Sequence, residues 1–496
     1  MNKRFYLLAI VVIAVAGSLG CGCGDDDDDA DHVDDDDTGV GDDDSSADDD
    51  VGDDDGGFPD DDFGDDDVPS PALAIDCADD VDDVYLTPSD LPPYQPSFRG
   101  EIVRCAFDSV MTREELEDRF GEIEGLEFTS GFTAYVIAYR TERRVGEEGV
   151  GTARILLPDT PAKGPLPLVN AAHGTAGLAD DCAPSKHQFI AEGELSLPWA
   201  AAGYPVVAPD YAGLGNEGTQ GYVNTPDTVH SVVDAARAMI GAVTPGSMSG
   251  KVIVIGHSQG GGAVLGTQAL EQEYAAPDIT ISAAVSFAGG YALGLDANVF
   301  KLPNTRIDSG AGVTRVVMAM IYYADFANLF GFHHARDPLH PNIRDYVGDA
   351  IETRCVFDLA LYLQQATADY TPPDTLGELL DPAFRESIVD CLDGTDCSAD
   401  DLAWIERAGE NDRPLDPAGA PVLLVAGGQD QQQPPWKQGC LKESLEEWGI
   451  AADVCFLEEA THYNVVASGI SLAMRWALTG EFDCPSDADL PACPFP

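Results

Sequence analysis

The strongest constraint on this chain is the run Val252-Ile253-Val254-Ile255-Gly256-His257-Ser258-Gln259-Gly260. Four consecutive β-branched residues predict a strand buried on both faces. The next five fit G-x-S-x-G, a sharp turn from strand into helix. Side chains two residues either side of the serine would collide in such a turn, so glycine is required at 256 and 260. The turn pushes the Ser258 hydroxyl out where a base can reach it. Gly261-Gly262-Ala263-Val264-Leu265 then leads into a helix. Ser258 is the candidate nucleophile.

The segments around this run extend the pattern. Residues 132–141 (FTAYVIAYRT) and 152–157 (TARILL) predict a hairpin. Short apolar runs at 166–172, 204–208, 283–288, 421–426 and 453–457 predict further strands. A helix is predicted from Pro226, with Thr225 as its cap and Asp227 at its positive end. Val229, Val232, Val233, Ala236, Met239 and Ile240 then recur at helical spacing. Residues 464–479 predict a closing helix. Strands alternating with helices argue for an α/β fold with a mainly parallel sheet covered on both faces. Residues 290–415 are too long for a single crossover, rich in helix-like segments and broken by prolines, which predicts a helical cap inserted in the sheet domain of residues 72–496.

A hydroxyl is a weak nucleophile at neutral pH and needs a base, which in turn needs an acid to orient it. With a strand–turn–helix nucleophile, the chain order is serine, acid, histidine. His462 is the one histidine beyond the strand at 421–426, and it lies between the last predicted strand and the closing helix. Asp430 is the one carboxylate in the loop Gly427 to Pro435. Glu458 and Glu459 are fallback acids in another loop. The oxyanion of an acyl-transfer intermediate needs hydrogen-bond donors. The main-chain N–H groups of Gln259 and of Thr175, in His173-Gly174-Thr175-Ala176-Gly177, are the candidates, with Gly174 next. His173 precedes the nucleophile and is read as a structural hydrogen-bonder. This chemistry requires no cofactor.

The segment HGTAG, followed by Asp181-Cys182-Ala183-Pro184-Ser185, then Ala208-Pro209-Asp210-Tyr211-Ala212-Gly213-Leu214-Gly215 and GHSQGG, resembles the secretory lipase family of α/β-hydrolases. The loops of Asp430 and His462 fit the same pattern, and the resemblance spans residues 130–480. It implies the α/β-hydrolase fold with a helical lid. It also implies an extracellular carboxylic ester hydrolase acting through a Ser258–Asp430–His462 triad on a small-molecule or lipid ester. The same machinery on an amide, as in a serine peptidase, is the first alternative. A catalytically inactive surface-binding protein is the second.

The N-terminus reads as an export signal. Lys3 and Arg4 precede an unbroken apolar run from Phe5 to Ala16, too short to span a bilayer comfortably. The following Gly17-Ser18-Leu19-Gly20-Cys21 resembles a bacterial lipobox, with Ser18 where the usual pattern has leucine. Residues 1–21 are therefore expected to be a signal ending at Cys21 as the lipidation site, and the membrane partner is the bilayer holding that anchor. Gly22 rather than aspartate after the cysteine favours an outer-membrane lipoprotein; cleavage near Gly20 with release as a secreted or periplasmic protein is the alternative. Residues 25–67 hold 25 aspartates. Such a segment cannot bury enough apolar surface to order itself, so residues 22–71 are expected to form an extended tether. It lacks the spacing of an EF-hand calcium loop.

The formal net charge is −62, and 63 acidic residues face 24 basic ones from residue 68 onward. Phosphate backbones would be repelled, so nucleic acid is excluded as a partner. Ten cysteines remain beyond Cys21 and Cys23, which in an exported chain predicts up to five disulfides. Cys391–Cys397 and Cys484–Cys493 are the pairs suggested by proximity. His333, His334, Asp337 and His340 cluster in the cap without a metal-site spacing and are read as polar lid residues, so no metal site is assigned. Apolar residues beside them, from Met318 to Phe332, are read as lid core or acyl-pocket lining.

Overall fold

The computed structural model describes residues 69–143, 146–187, 193–291, 338–347, 350–365, 374–411 and 413–494. The chain divides into two units, residues 1–64 and 65–496, and all described residues lie in the second. The signal segment, Cys21 and nearly all of the aspartate-rich tether lie outside the described residues. So do His333, His334, Asp337 and the apolar stretch from Met318 to Phe332.

Among the described residues nine strands form one sheet: β1 Ile102–Met111, β2 Phe132–Glu142, β3 Glu148–Pro158, β4 Leu166–Ala172, β5 Val206–Pro209, β6 Met248–His257, β7 Thr280–Phe287, β8 Val422–Gly427 and β9 Asp453–Leu457. Their spatial order is β1-β2-β3-β5-β4-β6-β7-β8-β9. The pairs from β1 to β5 are antiparallel, and those from β5 through β4, β6, β7 and β8 to β9 are parallel. This is the mainly parallel α/β-hydrolase sheet expected, with an antiparallel extension at one end.

The period-two rule explains why the parallel strands are apolar throughout. Val252 and Val254 of β6 enter a core on one face, while Ile253 and Ile255 enter a core on the other. Val422 and Leu424 of β8 likewise oppose Leu423 and Val425. The helices Thr225–Ala242, Gln259–Ala269 and Pro435–Glu447 cover the first face, and Gly193–Ala201 and Val465–Thr479 cover the second. A polar residue at any of these strand positions would meet a packed core; burying each Val, Leu or Ile is worth about 1.5–3 kcal/mol.

Two local expectations are corrected. The helix over residues 225–242 is capped by Asn224, whose side chain accepts from the Asp227 N–H at 3.1 Å, and Thr225 is already helical. Asparagine and threonine are both good caps, and the asparagine carbonyl wins because it reaches the third N–H from one residue earlier. Strand β1 has no counterpart in the predicted elements. Its pairing with β2 shifts between Ile102 and Arg104 and again between Phe107 and Ser109, which scrambles the alternation a strand reading relies on.

Between β7 and β8 the chain forms the helices Pro341–Val347, Ala350–Thr353, Val356–Gln364, Pro382–Leu392 and Ala399–Gly409. They bury a core of their own, including Ile343, Leu359, Leu380, Ile388 and Trp404. Sequence-local caps start the last two of them. Asp381 accepts from Ala383 and Phe384 N–H, and Ser398 and Asp401 form a capping box.

Five disulfides join all ten cysteines beyond the N-terminal pair: Cys77–Cys105, Cys182–Cys355, Cys391–Cys397, Cys440–Cys493 and Cys455–Cys484. Cys391–Cys397 is as expected. Cys484–Cys493 is not formed. The tail after the closing helix runs back over the domain, where Cys484 meets Cys455 on β9 and Cys493 meets Cys440 on the helix Pro435–Glu447. Among the described residues no helix is long and apolar enough to cross a membrane.

Candidate active site

β6 ends at His257, and Ser258 stands at the N-terminus of the helix Gln259–Ala269 with φ 56° and ψ −113°. A non-glycine residue in this region is strained, and such strain persists where surrounding contacts enforce it. They do so here. The Ser258 N–H donates to the Phe287 carbonyl of β7 (2.9 Å), and Gly262 N–H donates to the Ser258 carbonyl (3.1 Å). The flanking glycines are forced by main chain. A Cβ on Gly256 would lie 2.2 Å from the Gly260 carbonyl oxygen, and one on Gly260 would lie 1.9 Å from that of Ala172.

Gly260→Ala is therefore expected to cost about 3 kcal/mol or more, because only separating β4 from the Ser258 turn relieves the overlap. Gly241→Ala is the control. That helical glycine is exposed, nothing beyond its own helix backbone and chain neighbours lies within 4 Å of its would-be Cβ, and the change should be neutral or stabilising by about 0.5 kcal/mol. Chemical denaturation of both variants checks the contrast, and equal midpoints would contradict it.

The loops after β8 and β9 bring the other two candidates to Ser258. In the tautomer carrying its proton on Nδ1, His462 donates to Asp430 Oδ2 at 2.7 Å and leaves Nε2 to accept from Ser258 Oγ at 3.0 Å. All three are 3–5% exposed. The Asp430 carboxylate is held by its own loop: Oδ1 accepts from the main-chain N–H groups of Gln432 and Gln433, both at 2.8 Å. The two loops are tied together where the Gln429 N–H donates to the Ala460 carbonyl (2.9 Å). Glu459, one of the fallback acids, instead accepts from the Gln429 side chain at the surface.

The HGTAG loop follows β4 and abuts Ser258. A Cβ on Gly174 would lie 3.5 Å from Ser258 Cβ. Thr175 Oγ1 pairs with the Tyr222 hydroxyl at 2.8 Å, and Gln259 N–H opens the helix behind Ser258. His173 is buried, stacked on Tyr211, with Nε2 3.1 Å from the Asp210 carbonyl. Burial pushes its pKa down, as suits a structural imidazole. Beneath it the Asp210 carboxylate accepts from Ser185 N–H (2.8 Å), the Ser185 hydroxyl and Thr152 Oγ1 (2.7 Å). This bracing was not legible from residue types. Its only trace was the segments around Ser185 and Asp210 that carry the family resemblance.

The cap reaches the same loop. Val356 N–H donates to the Ala176 carbonyl (2.8 Å), Gly177 bridges to Cys355, and Cys355 is disulfide-bonded to Cys182. His340 precedes a cap helix and accepts from Asn342 N–H at 3.2 Å. Among the described residues there is no cluster of three metal-binding side chains.

Residues 191–339 match the secretory lipase family. Comparison with curated proteins finds no significant match. Among solved structures, a ligand-bound form of the rice cell wall degrading esterase LipA from Xanthomonas oryzae aligns with TM-score 0.56 and 18% identity, over 76% of this chain and 97% of that one. Candida antarctica lipase A in its closed state aligns with TM-score 0.58 and 16% identity, over 84% and 91%. A putative hydrolase from Legionella pneumophila aligns with TM-score 0.58 and 17% identity, over 77% and 100%. The chain thus shares the fold of these lipase and esterase structures, and its residues 191–339 match the secretory lipase family.

Proposed function

We propose that this protein is an exported serine carboxylic ester hydrolase, held to the membrane by an acylated Cys21 through the aspartate-rich segment. The observation that carries the catalytic reading is the hydrogen-bonded series Asp430–His462–Ser258, assembled from three separate loops at 2.7 and 3.0 Å. In this reading His462 Nε2 takes the Ser258 proton as Oγ attacks the ester carbonyl carbon. The negative oxygen that develops is held by the Thr175 and Gln259 N–H groups. The intermediate collapses, the carbon–oxygen bond to the alcohol breaks, and the alkoxide leaves with the proton from His462. Water then repeats the sequence on the acyl-enzyme and releases the acid. Asp430 keeps the Nδ1 proton in place and stabilises the imidazolium formed at each step. No external cofactor enters the balance.

An apolar substrate portion is favoured by the rim beside His462. Tyr463, Phe357 and Leu361 are 42–45% exposed, and the Phe357 and Tyr463 rings lie 6.2 Å apart. Phe357 and Leu361 are one helical turn apart on the cap helix Val356–Gln364. The five disulfides and the secretory lipase match support export.

The test is hydrolysis of p-nitrophenyl esters from acetate to palmitate, beside p-nitroanilides of the same acids. Ester turnover that exceeds anilide turnover at every chain length is expected, and the optimum length reports the acyl site. Anilide cleavage equal to ester cleavage would favour a peptidase. No turnover of either series would overturn the hydrolase reading. Radiolabelled palmitate incorporation that is lost in Cys21→Ala checks the anchor separately.

A further inference from the structure

The proposed chemistry uses Ser258, His462 and Asp430 but leaves His257 without a role. It is the last residue of β6 and directly precedes the nucleophile. Strand alternation places its side chain on the face of Ile253 and Ile255, away from the helix that Ser258 starts. There its Nε2 lies 2.8 Å from the main-chain carbonyl oxygen of His462, a contact between residues 205 positions apart. The two imidazole rings sit 4.6 Å apart, tilted by 47°. A carbonyl only accepts, so His257 carries its proton on Nε2 and donates.

We propose that His257 is a positioning residue: its Nε2–H anchors the main chain of His462 and so sets the distance from the His462 ring to Ser258 Oγ. The inference rests on the hydrolase reading above. Asp430 orients the His462 ring from its Nδ1 side. That contact and the one to Ser258 Oγ engage the edges of the ring but do not hold the main chain that carries it. The loop after β9 is linked to the Asp430 loop through Ala460 and closed on itself by Thr461 and Asn464. The His257 contact adds a tie from the nucleophile turn to the residue that bears the base. The serine and the base are then located by neighbouring residues of one rigid strand end.

Two further observations fit. His257 stays neutral across the working pH range, because burial, with the adjacent His462 adding to it, pushes its pKa down to about 3. A neutral ring can donate to the carbonyl while adding no charge that would oppose an imidazolium on His462. Its Nδ1 edge faces the HGTAG loop. A Cβ on Gly174 would lie 3.2 Å from His257 Nδ1, so the glycine gives this ring close packing against the oxyanion loop and Ser258.

The test pairs His257→Gln with His257→Met. Glutamine presents an N–H donor near the place of Nε2, while methionine matches its length and donates nothing. The readouts are kcat and KM for the best p-nitrophenyl ester, the rate of phosphonylation by a fluorophosphonate, and the melting transition. The methionine variant is expected to lose about 10- to 100-fold in kcat and in phosphonylation rate, with KM within about 3-fold of wild type, as a misplacement of order 1 Å does. The glutamine variant is expected to stay within about 3-fold of wild type on both rates. A folded methionine variant as fast as wild type would overturn the proposal, as would equal losses in both variants.

If the methionine variant does not melt cooperatively, His257→Phe supplies a donor-free ring. Should neither fold while the glutamine variant does, the bond serves folding and the positioning role is overturned. Wild type and Ser258→Ala run alongside. A wild type no faster than Ser258→Ala sinks the hydrolase reading itself, whereas an active wild type with an equally active, folded methionine variant sinks this inference alone.

Discussion

Ser258→Ala is expected to lower kcat/KM for p-nitrophenyl esters by roughly 10⁴- to 10⁶-fold, with the fold intact. The residue is small and nearly buried, and removing Oγ creates almost no cavity, so the loss reads chemistry and not stability. Asp430→Asn is the sharper test of the arrangement, and a loss of about 10⁴-fold is expected. The reason lies in the loop. Asp430 Oδ1 already accepts from two N–H groups, those of Gln432 and Gln433. An asparagine must keep its carbonyl oxygen there, since its NH₂ would face two donors. The NH₂ is then turned toward His462 Nδ1, which becomes the acceptor. The ring proton moves to Nε2, where it points at Ser258 Oγ and blocks proton transfer. A loss below about 10-fold in this variant would contradict the assignment of Asp430 as the orienting acid. Steady-state kinetics with active-site titration, beside the melting curve of each variant, provides the measurement.

Removing the Cys182–Cys355 disulfide in a double serine variant is expected to produce the largest stability loss among the five bridges whose loss can be compared in this way. The bridge spans 173 residues of sequence, against 6 for Cys391–Cys397. The chain-entropy model assigns about 5 kcal/mol to the long loop and about 2 kcal/mol to the short one. Position adds to length. Cys355 caps the helix that carries Phe357 and Leu361, and Cys182 follows the HGTAG loop. Losing the bond leaves the cap attached to that loop by the Val356-to-Ala176 hydrogen bond and the Gly177–Cys355 bridge. Activity should therefore fall along with the melting temperature, while the Cys391→Ser, Cys397→Ser variant keeps its activity. Calorimetry and ester kinetics on the two double variants decide it; equal melting shifts would mean the cap is held by packing and not by the bridge.

Much of the site was legible because its parts are local. A β-branched tetrapeptide favours a buried strand, and glycines two residues either side of a serine mark a turn in which no Cβ fits; Gly256 and Gly260 show the clash directly. Asp430 and His462 are the candidates that elimination leaves in short loops after predicted strands, and those loops converge on Ser258. The unread parts are those set by distant chain segments. β1 is not legible in the sequence because two register shifts hide its alternation. The tail cysteines were assigned to each other by proximity in sequence, but the tail passes over β9 and a helix before it ends, so Cys484 and Cys493 find other partners.

The sequence by itself determined the strand–turn–helix at Ser258, the alternation of strands and helices that makes the α/β sheet, and the identities of the candidate base and acid. Each of these follows from residues within a few positions of one another, where steric exclusion and the periods of strand and helix act. Tertiary structure alone decided what surrounds them: the donor from His257 to the His462 carbonyl, the buried Asp210 under His173, and the stapling of the cap to the HGTAG loop by Cys182 and Cys355. These contacts join segments tens to hundreds of residues apart. Their partners are chosen by how the sheet brings strand ends together, which no local propensity encodes.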